Sequence, residues 1–294
     1  MTVSKPNYAD LRQYMDDRFA SVSSATAVGW TFKQDPTFFQ YMEHVSKEHG
    51  AQYLQCIETQ YPQVTFEALR AFVQTNDRYG GSTKFIFTFH CTVSQSTKLL
   101  YCSPSTLRYA FQALLTLDYM SKTECRCLVE WGAGYGGMFL GLQAFAGLFY
   151  PDGGLDQVVL VEMPEVVPLL TAYMAAATAA APVVPSTFPY QVVSANGELP
   201  PVQGAFFAFL FYRAGRERAG PYPGMDGGMR ARDPHLANMF RGRRGGCRVT
   251  PGGERGTHGG GGSGHGPVPC QEPLCVFLEQ GVCSRIFIAK QILA

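Results

Sequence analysis

The chain has 294 residues, 46% of them hydrophobic and 16% charged, and a formal net charge of +1 at neutral pH. This length and apolar content supply a core for one large domain or two modest ones and exclude a wholly disordered chain. The near-zero charge gives no reason to expect nucleic acid or an anionic membrane as a partner.

The first twenty residues hold no apolar run with a basic flank, so no secretory signal is read and a cytoplasmic protein is expected. The nine cysteines include no C-x-x-C pair and read as reduced thiols. Residues 1–100 are expected to be mostly helical. In PTFFQYMEHVSKEHGAQYLQCIETQ, Phe38, Met42, Val45, Tyr53 and Ile57 recur at helical spacing. Asp35-Pro36 reads as cap and first-turn pair, and Gly50 is the expected break. A second helix runs through Phe66, Leu69, Phe72 and Val73. NDRYGG is a turn by composition, and FIFTFH is aromatic, β-branched and short enough for a strand. Ser103 caps, and Pro104 opens, a helix that places Leu107, Phe111, Leu114 and Leu115 on one face.

The middle of the chain alternates strand and helix. CRCLVEWGAGYGGMFLGLQAFAGLF reads as strand, glycine turn and helix, and DQVVLVEMPEVVPLLTAYMAAATAA as a strand ending at Glu162 and a second helix. YQVVSANGE and AFFAFLFY look like two further buried strands. That order predicts an α/β fold with a parallel sheet. The uncharged stretch Val166–Gly197 is alanine-rich and interrupted by Pro168, Pro182 and Pro185, so it reads as a helix packed on the sheet and no membrane span is expected. Between Arg213 and Pro269 lie 17 of the 32 glycines and ten basic residues against four acidic ones. This Gly/Arg-rich segment, 213–275, is expected to be disordered, and its composition also fits a translated frame-shifted stretch. His258, His265, Cys270, Cys275 and Cys283 match no standard zinc spacing, so no metal is expected. The apolar tail 276–294 is long enough for one strand or helix.

Chemistry concentrates at Glu130-Trp131-Gly132-Ala133-Gly134-Tyr135-Gly136-Gly137. Gly132 and Gly134 permit positive φ and the close approach of a ligand to backbone, and the N–H groups of the following helix face that ligand. Gly132, Gly134 and Gly137 satisfy the G-x-G-x-x-G of a dinucleotide site. Glu130, Gly132, Gly134 and Gly136 equally satisfy the E/D-x-G-x-G-x-G of an S-adenosylmethionine site. Glu130 separates the two: a carboxylate faces a pyrophosphate badly but suits the ammonium of a methionine moiety. Glu162, closing the next strand, is placed to accept from ribose hydroxyls under either reading.

NDRYGG, SPSTLRYA, VEWGAGYGG and VEMPE, in that order and spacing, resemble the sugar O-methyltransferases, over about residues 35–200. The resemblance implies a Rossmann-like class I methyltransferase core over 101–212, with the helical region 1–100 on the acceptor side and the C-terminal part of the sheet incomplete or irregular. It implies S-adenosylmethionine as cofactor, held by Glu130, Gly132, Gly134 and Glu162, and a small-molecule or glycan acceptor. Asn196, in the loose candidate element SANGE, is expected to reach the adenine edge, and Arg108 to pair with the donor carboxylate. The chain departs from the pattern at Glu162, where the family usually has Asp, and at Trp131, usually aliphatic. A sugar hydroxyl needs a base, for which His90 and Asp77 are candidates. His90, in an aromatic strand, reads more readily as a core histidine hydrogen-bonded to backbone, and Asp77 reads also as turn chemistry. Two other readings stay open: an inactive truncated or frame-shifted methyltransferase-like product, and an NAD(P)-dependent oxidoreductase.

Overall fold

A computed structural model of the chain describes residues 8–91, 96–152, 154–180, 188–200, 205–210 and 286–290. The Gly/Arg-rich segment, the candidate zinc ligands and the start of the apolar tail lie outside them.

α1 (Tyr8–Phe19) buries Leu11, Met15 and Phe19, spaced four apart on one face. α2 (Pro36–Phe38) starts where the Asp35 carboxylate accepts from the Thr37 N–H, and it runs directly into a π-helical turn, Phe39–Glu43. α3 (Lys47–Gln60) begins afresh, with the Ser46 hydroxyl accepting from the His49 N–H at 3.2 Å. The expected break therefore falls at residues 44–46 and not at Gly50, which lies inside α3. Its lack of a side chain serves packing: a Cβ there would lie 2.9 Å from the Pro104 side chain and 3.0 Å from Phe87. α4 (Phe66–Asn76), capped by Thr65, buries the expected Phe66, Leu69, Phe72 and Val73.

β1 (Phe85–Cys91) contains the expected strand and pairs antiparallel with β2 (Ser96–Cys102), which the sequence reading missed. The hairpin buries Phe87, Phe89, Leu100 and Cys102 and turns Ile86, Leu99 and Tyr101 outward, each more than half exposed. α5 (Pro104–Lys122) follows its Ser103 cap as expected and buries nearly its whole length, packing against α3 on one side and the helix of the glycine turn on the other.

The mixed α/β expectation holds in the middle of the chain. β3 (Cys127–Trp131), α6 (Gly137–Phe145), β4 (Gln157–Glu162), α7 (Val167–Ala180), β5 (Tyr190–Ser194) and β6 (Ala205–Leu210) follow in turn, and β7 (Ile286–Lys290) is supplied by the apolar tail. The five-stranded sheet has the order β5-β4-β3-β6-β7, parallel except for β7 against β6. The winding direction reverses at β3, with β4 and β5 on one side and β6 on the other. Strand alternation puts Leu128 and Glu130 on the face covered by α5 and α6 and Val129 on the other, where it clusters with Val159, Val161 and Val193. The alanine-rich stretch forms α7, with Leu169, Leu170, Tyr173 and Met174 buried. Among the described residues no helix is long and apolar enough to cross a membrane.

Filling the Gly50 contact tests the α3–α5 packing. Gly50→Val is expected to cost about 2 kcal/mol, the usual penalty for overpacking a tight contact, read as a lower urea midpoint with an unchanged slope.

Candidate functional site

The site is built where the winding of the sheet reverses, at the carboxyl ends of β3 and β4, the place where open α/β sheets bind ligands. Gly132, Gly134 and Gly136 all take positive φ, at 80°, 60° and 93°. The Gly132 N–H donates to the Val161 carbonyl at 2.9 Å, folding the turn back over β4. Gly136 lies directly against Met174 and Leu170 of α7. A Cβ on Gly137 would lie 2.6 Å from the Tyr109 ring, so this glycine lets α6 close on α5. Gly134 is bounded on its bare side only by Met42, whose sulfur would lie 3.4 Å from a Cβ there.

Two carboxyl groups flank this turn. Glu162 is buried and fully engaged with backbone: one oxygen accepts from the Gly134 N–H at 2.6 Å and the other from its neighbour Met163 N–H at 2.7 Å. Burial pushes its pKa up to about 7, against the downward pull of those two bonds. Glu130 is completely buried, and neither oxygen has a hydrogen-bond partner among the described residues. Burial, and then the charge of Glu162, hold its pKa well above the usual carboxylate range.

Behind the turn lies a buried polar cluster that unites the sequence motifs. The Asp77 carboxylate accepts from the Ser103 N–H at 2.7 Å and from the Thr106 hydroxyl, so the N-D-x-x-G element clasps the start of α5. The Asn76 amide donates to the same Thr106 hydroxyl at 2.7 Å. Gly80, at φ +89°, makes room for the Lys33 stem, which would lie 2.8 Å from a Cβ at that position. The Lys33 ammonium donates to the Asn76 carbonyl at 2.8 Å and the Tyr173 hydroxyl at 2.9 Å, and it stands 4.2 Å from the centre of the Tyr135 ring. Burial lowers its pKa to about 8, with Glu43 and Asp77 opposing the shift. The Tyr135 hydroxyl donates to Glu43 at 2.7 Å, joining the glycine turn to the π-helical turn. Arg108 donates from Nη2 to the Met42 carbonyl at 2.9 Å and lies over Tyr109.

Of the residues singled out in the sequence, Glu130, Gly132, Gly134, Gly136 and Glu162 meet at the turn, and Arg108 reaches it through Met42. Asp77 sits behind it, and its carboxylate serves not the local turn but the start of α5, 26 and 29 residues later. Asn196 lies in the exposed turn after β5, one strand beyond Glu162. His90 is neither core nor adjacent to the turn: it is exposed on β1, its N–H donates to Glu58 at 2.6 Å, and its ring lies 3.4 Å from the Thr97 hydroxyl. Sequence reasoning missed Lys33, Met42, Glu43 and Tyr173. The signal was present as a Lys and a Glu set among the aromatic residues of WTFKQDPTFFQYMEH, a poor place for charge unless it is clasped. Among the described residues no group of His, Cys, Asp and Glu forms a metal site.

The orphaned carboxyl makes stability depend on pH. Folding holds the Glu130 proton above the ordinary value of 4.5, so stability is full below that value and falls as pH rises through the folded value. Glu130→Gln removes the loss. Its thermal unfolding is expected to match wild type at low pH and to show a gain on the order of 1–3 kcal/mol at pH 8, the penalty of an unsatisfied buried group.

No family model, curated protein or solved structure matches this chain.

Proposed function

We propose that the chain is an S-adenosylmethionine-dependent O-methyltransferase acting on a sugar hydroxyl, built on a Rossmann-like class I core in which the far edge of the sheet is abbreviated. The observation that carries this reading is Glu130, a fully buried carboxyl without a hydrogen-bond partner among the described residues, next to last in the central strand and two residues before the first glycine of the turn. A buried acid of this kind is costly unless something cationic or hydrogen-bonding satisfies it. The ammonium of a methionine moiety does so; a pyrophosphate does not. The residues present fit the donor in two further respects. Gly134 offers bare backbone on the ligand side, and Glu162 ends the neighbouring strand with lone pairs to spare beyond its two backbone bonds.

When bound, the donor supplies an electrophilic methyl group on sulfur. Transfer to a hydroxyl is an in-line displacement, so the chain's task is to fix donor and acceptor and to receive the hydroxyl proton. In this reading Glu130 binds the ammonium in its ionised form, and the N–H groups at the start of α6 hold the polar end of the donor. Glu162 fixes Gly134 from below and faces the ribose. Asp77 spends both oxygens on the start of α5, and His90 stands on the outer hairpin face, so neither is assigned as the base. The helical region before β1 borders the turn through Met42 and Tyr135 and supplies the acceptor side.

Calorimetric titration with S-adenosylhomocysteine tests the proposal. Micromolar binding is expected for wild type. Gly134→Val is expected to abolish the heat while keeping its far-ultraviolet circular dichroism, and Glu130→Gln to weaken binding at least tenfold. A folded wild-type sample that gives no heat with S-adenosylhomocysteine but heat with NADH would replace this reading with the oxidoreductase one.

A further inference from the structure

The π-helical turn Phe39–Glu43 crosses the glycine turn, and its contacts fall on the groups that a donor needs. The Met42 thioether lies on the bare side of Gly134, 3.4 Å from where a Cβ would be. The Met42 carbonyl accepts from Arg108 at 2.9 Å. Glu43 accepts from Tyr135, the residue between Gly134 and Gly136, at 2.7 Å, and from the Ser103 hydroxyl at 3.4 Å. Ligand-side backbone and guanidinium are therefore both covered by one five-residue turn. Among the described residues Glu130 stays unsatisfied in this covered state, which so retains a cost that a cationic ligand removes.

We propose that Phe39–Glu43 is a displaceable strap whose Met42 side chain occupies the donor cradle, so that S-adenosyl ligands bind only the state in which the strap has withdrawn and Arg108 has exchanged the Met42 carbonyl for the ligand carboxylate. This rests on the donor reading given above. The strap is built to move. π-turns make poorer hydrogen-bond ladders than α-helix and concentrate at functional sites. Residues 44–46 are non-helical, and Ser46 caps α3 independently, so the strap can shift without unwinding α3. Methionine, unbranched and flexible, fills and vacates a cradle at little strain. Occupancy by the strap lowers apparent donor affinity by the fraction of molecules in which it is withdrawn.

The test compares S-adenosylhomocysteine binding to full-length wild type, Met42→Ala and Met42→Leu by calorimetry. Removing the occupant is expected to tighten binding about 3–10-fold, whereas leucine, of similar bulk, is expected to stay within about twofold of wild type. Equal or weaker binding by Met42→Ala overturns the strap while leaving the donor reading intact. No binding by any of the three proteins overturns the donor reading and the strap with it. Hydrogen exchange on wild type alone guards against misfolded variants. Amides of residues 39–46 are expected to exchange faster at saturating S-adenosylhomocysteine than without it, and unchanged or slower exchange overturns the strap.

Discussion

Burying two carboxyl groups at the ends of adjacent parallel strands is the constraint around which the rest of the molecule is arranged. Glu130 is next to last in β3 and Glu162 is last in β4, and both are buried, Glu130 completely. Glu162 is accommodated by bending the chain so that two backbone N–H groups point at it, which is possible only because Gly134 takes a left-handed conformation. Glu130 is given no such compensation. A fold selected for stability alone would place an apolar residue there, as it does at Leu128 two residues earlier on the same face. Among the described residues this acid is left without a compensating bond, at a cost to stability.

The polar cluster behind the turn follows the opposite rule, since almost every charge in it is answered. Lys33 finds a carbonyl, a hydroxyl and two aromatic faces; Asp77 finds an amide and a hydroxyl; Glu43 finds Tyr135. These bonds join segments far apart in sequence: the stretch around Lys33, the end of α4, the start of α5, the glycine turn and α7. A satisfied buried network is geometrically demanding, and here the bonds of Lys33, Asn76 and Asp77 tie the end of α4 to the start of α5 and to α7 behind the turn. The motifs NDRYGG and SPSTLRYA thus have a clear physical role as halves of one clasp beneath the glycine turn.

Much of this was legible in the sequence because its signals were local. Helical spacing, the caps at Asp35 and Ser103, and the alternation of strands and helices depend on neighbouring residues. The glycine turn was legible because only glycine tolerates its backbone. What escaped depends on distant partners. Gly50 looked like a break because its packing against Pro104 is invisible in the local string, and β2 was missed because STKLLYC does not alternate cleanly, with Leu99 and Leu100 adjacent but facing opposite ways. His90 looked like a core residue because its aromatic neighbours face inward while it faces out. The roles of Met42 and Glu43 arise only when a π-turn lays them across a loop ninety residues later.

That π-turn also fixes the length of the chain around it. An α-helix advances about 100° per residue, and the turn Phe39–Glu43 accommodates one residue more than α geometry would. Deleting any one of those five residues would let α2 continue as ordinary helix. The phase of the flanking residues would be kept but the bulge would be lost, and with it the widened turn that sets Met42 on Gly134 and Glu43 against Tyr135. The residue count of this stretch is therefore as constrained as the identities of Met42 and Glu43. In a lineage of such proteins, gaps here would be excluded.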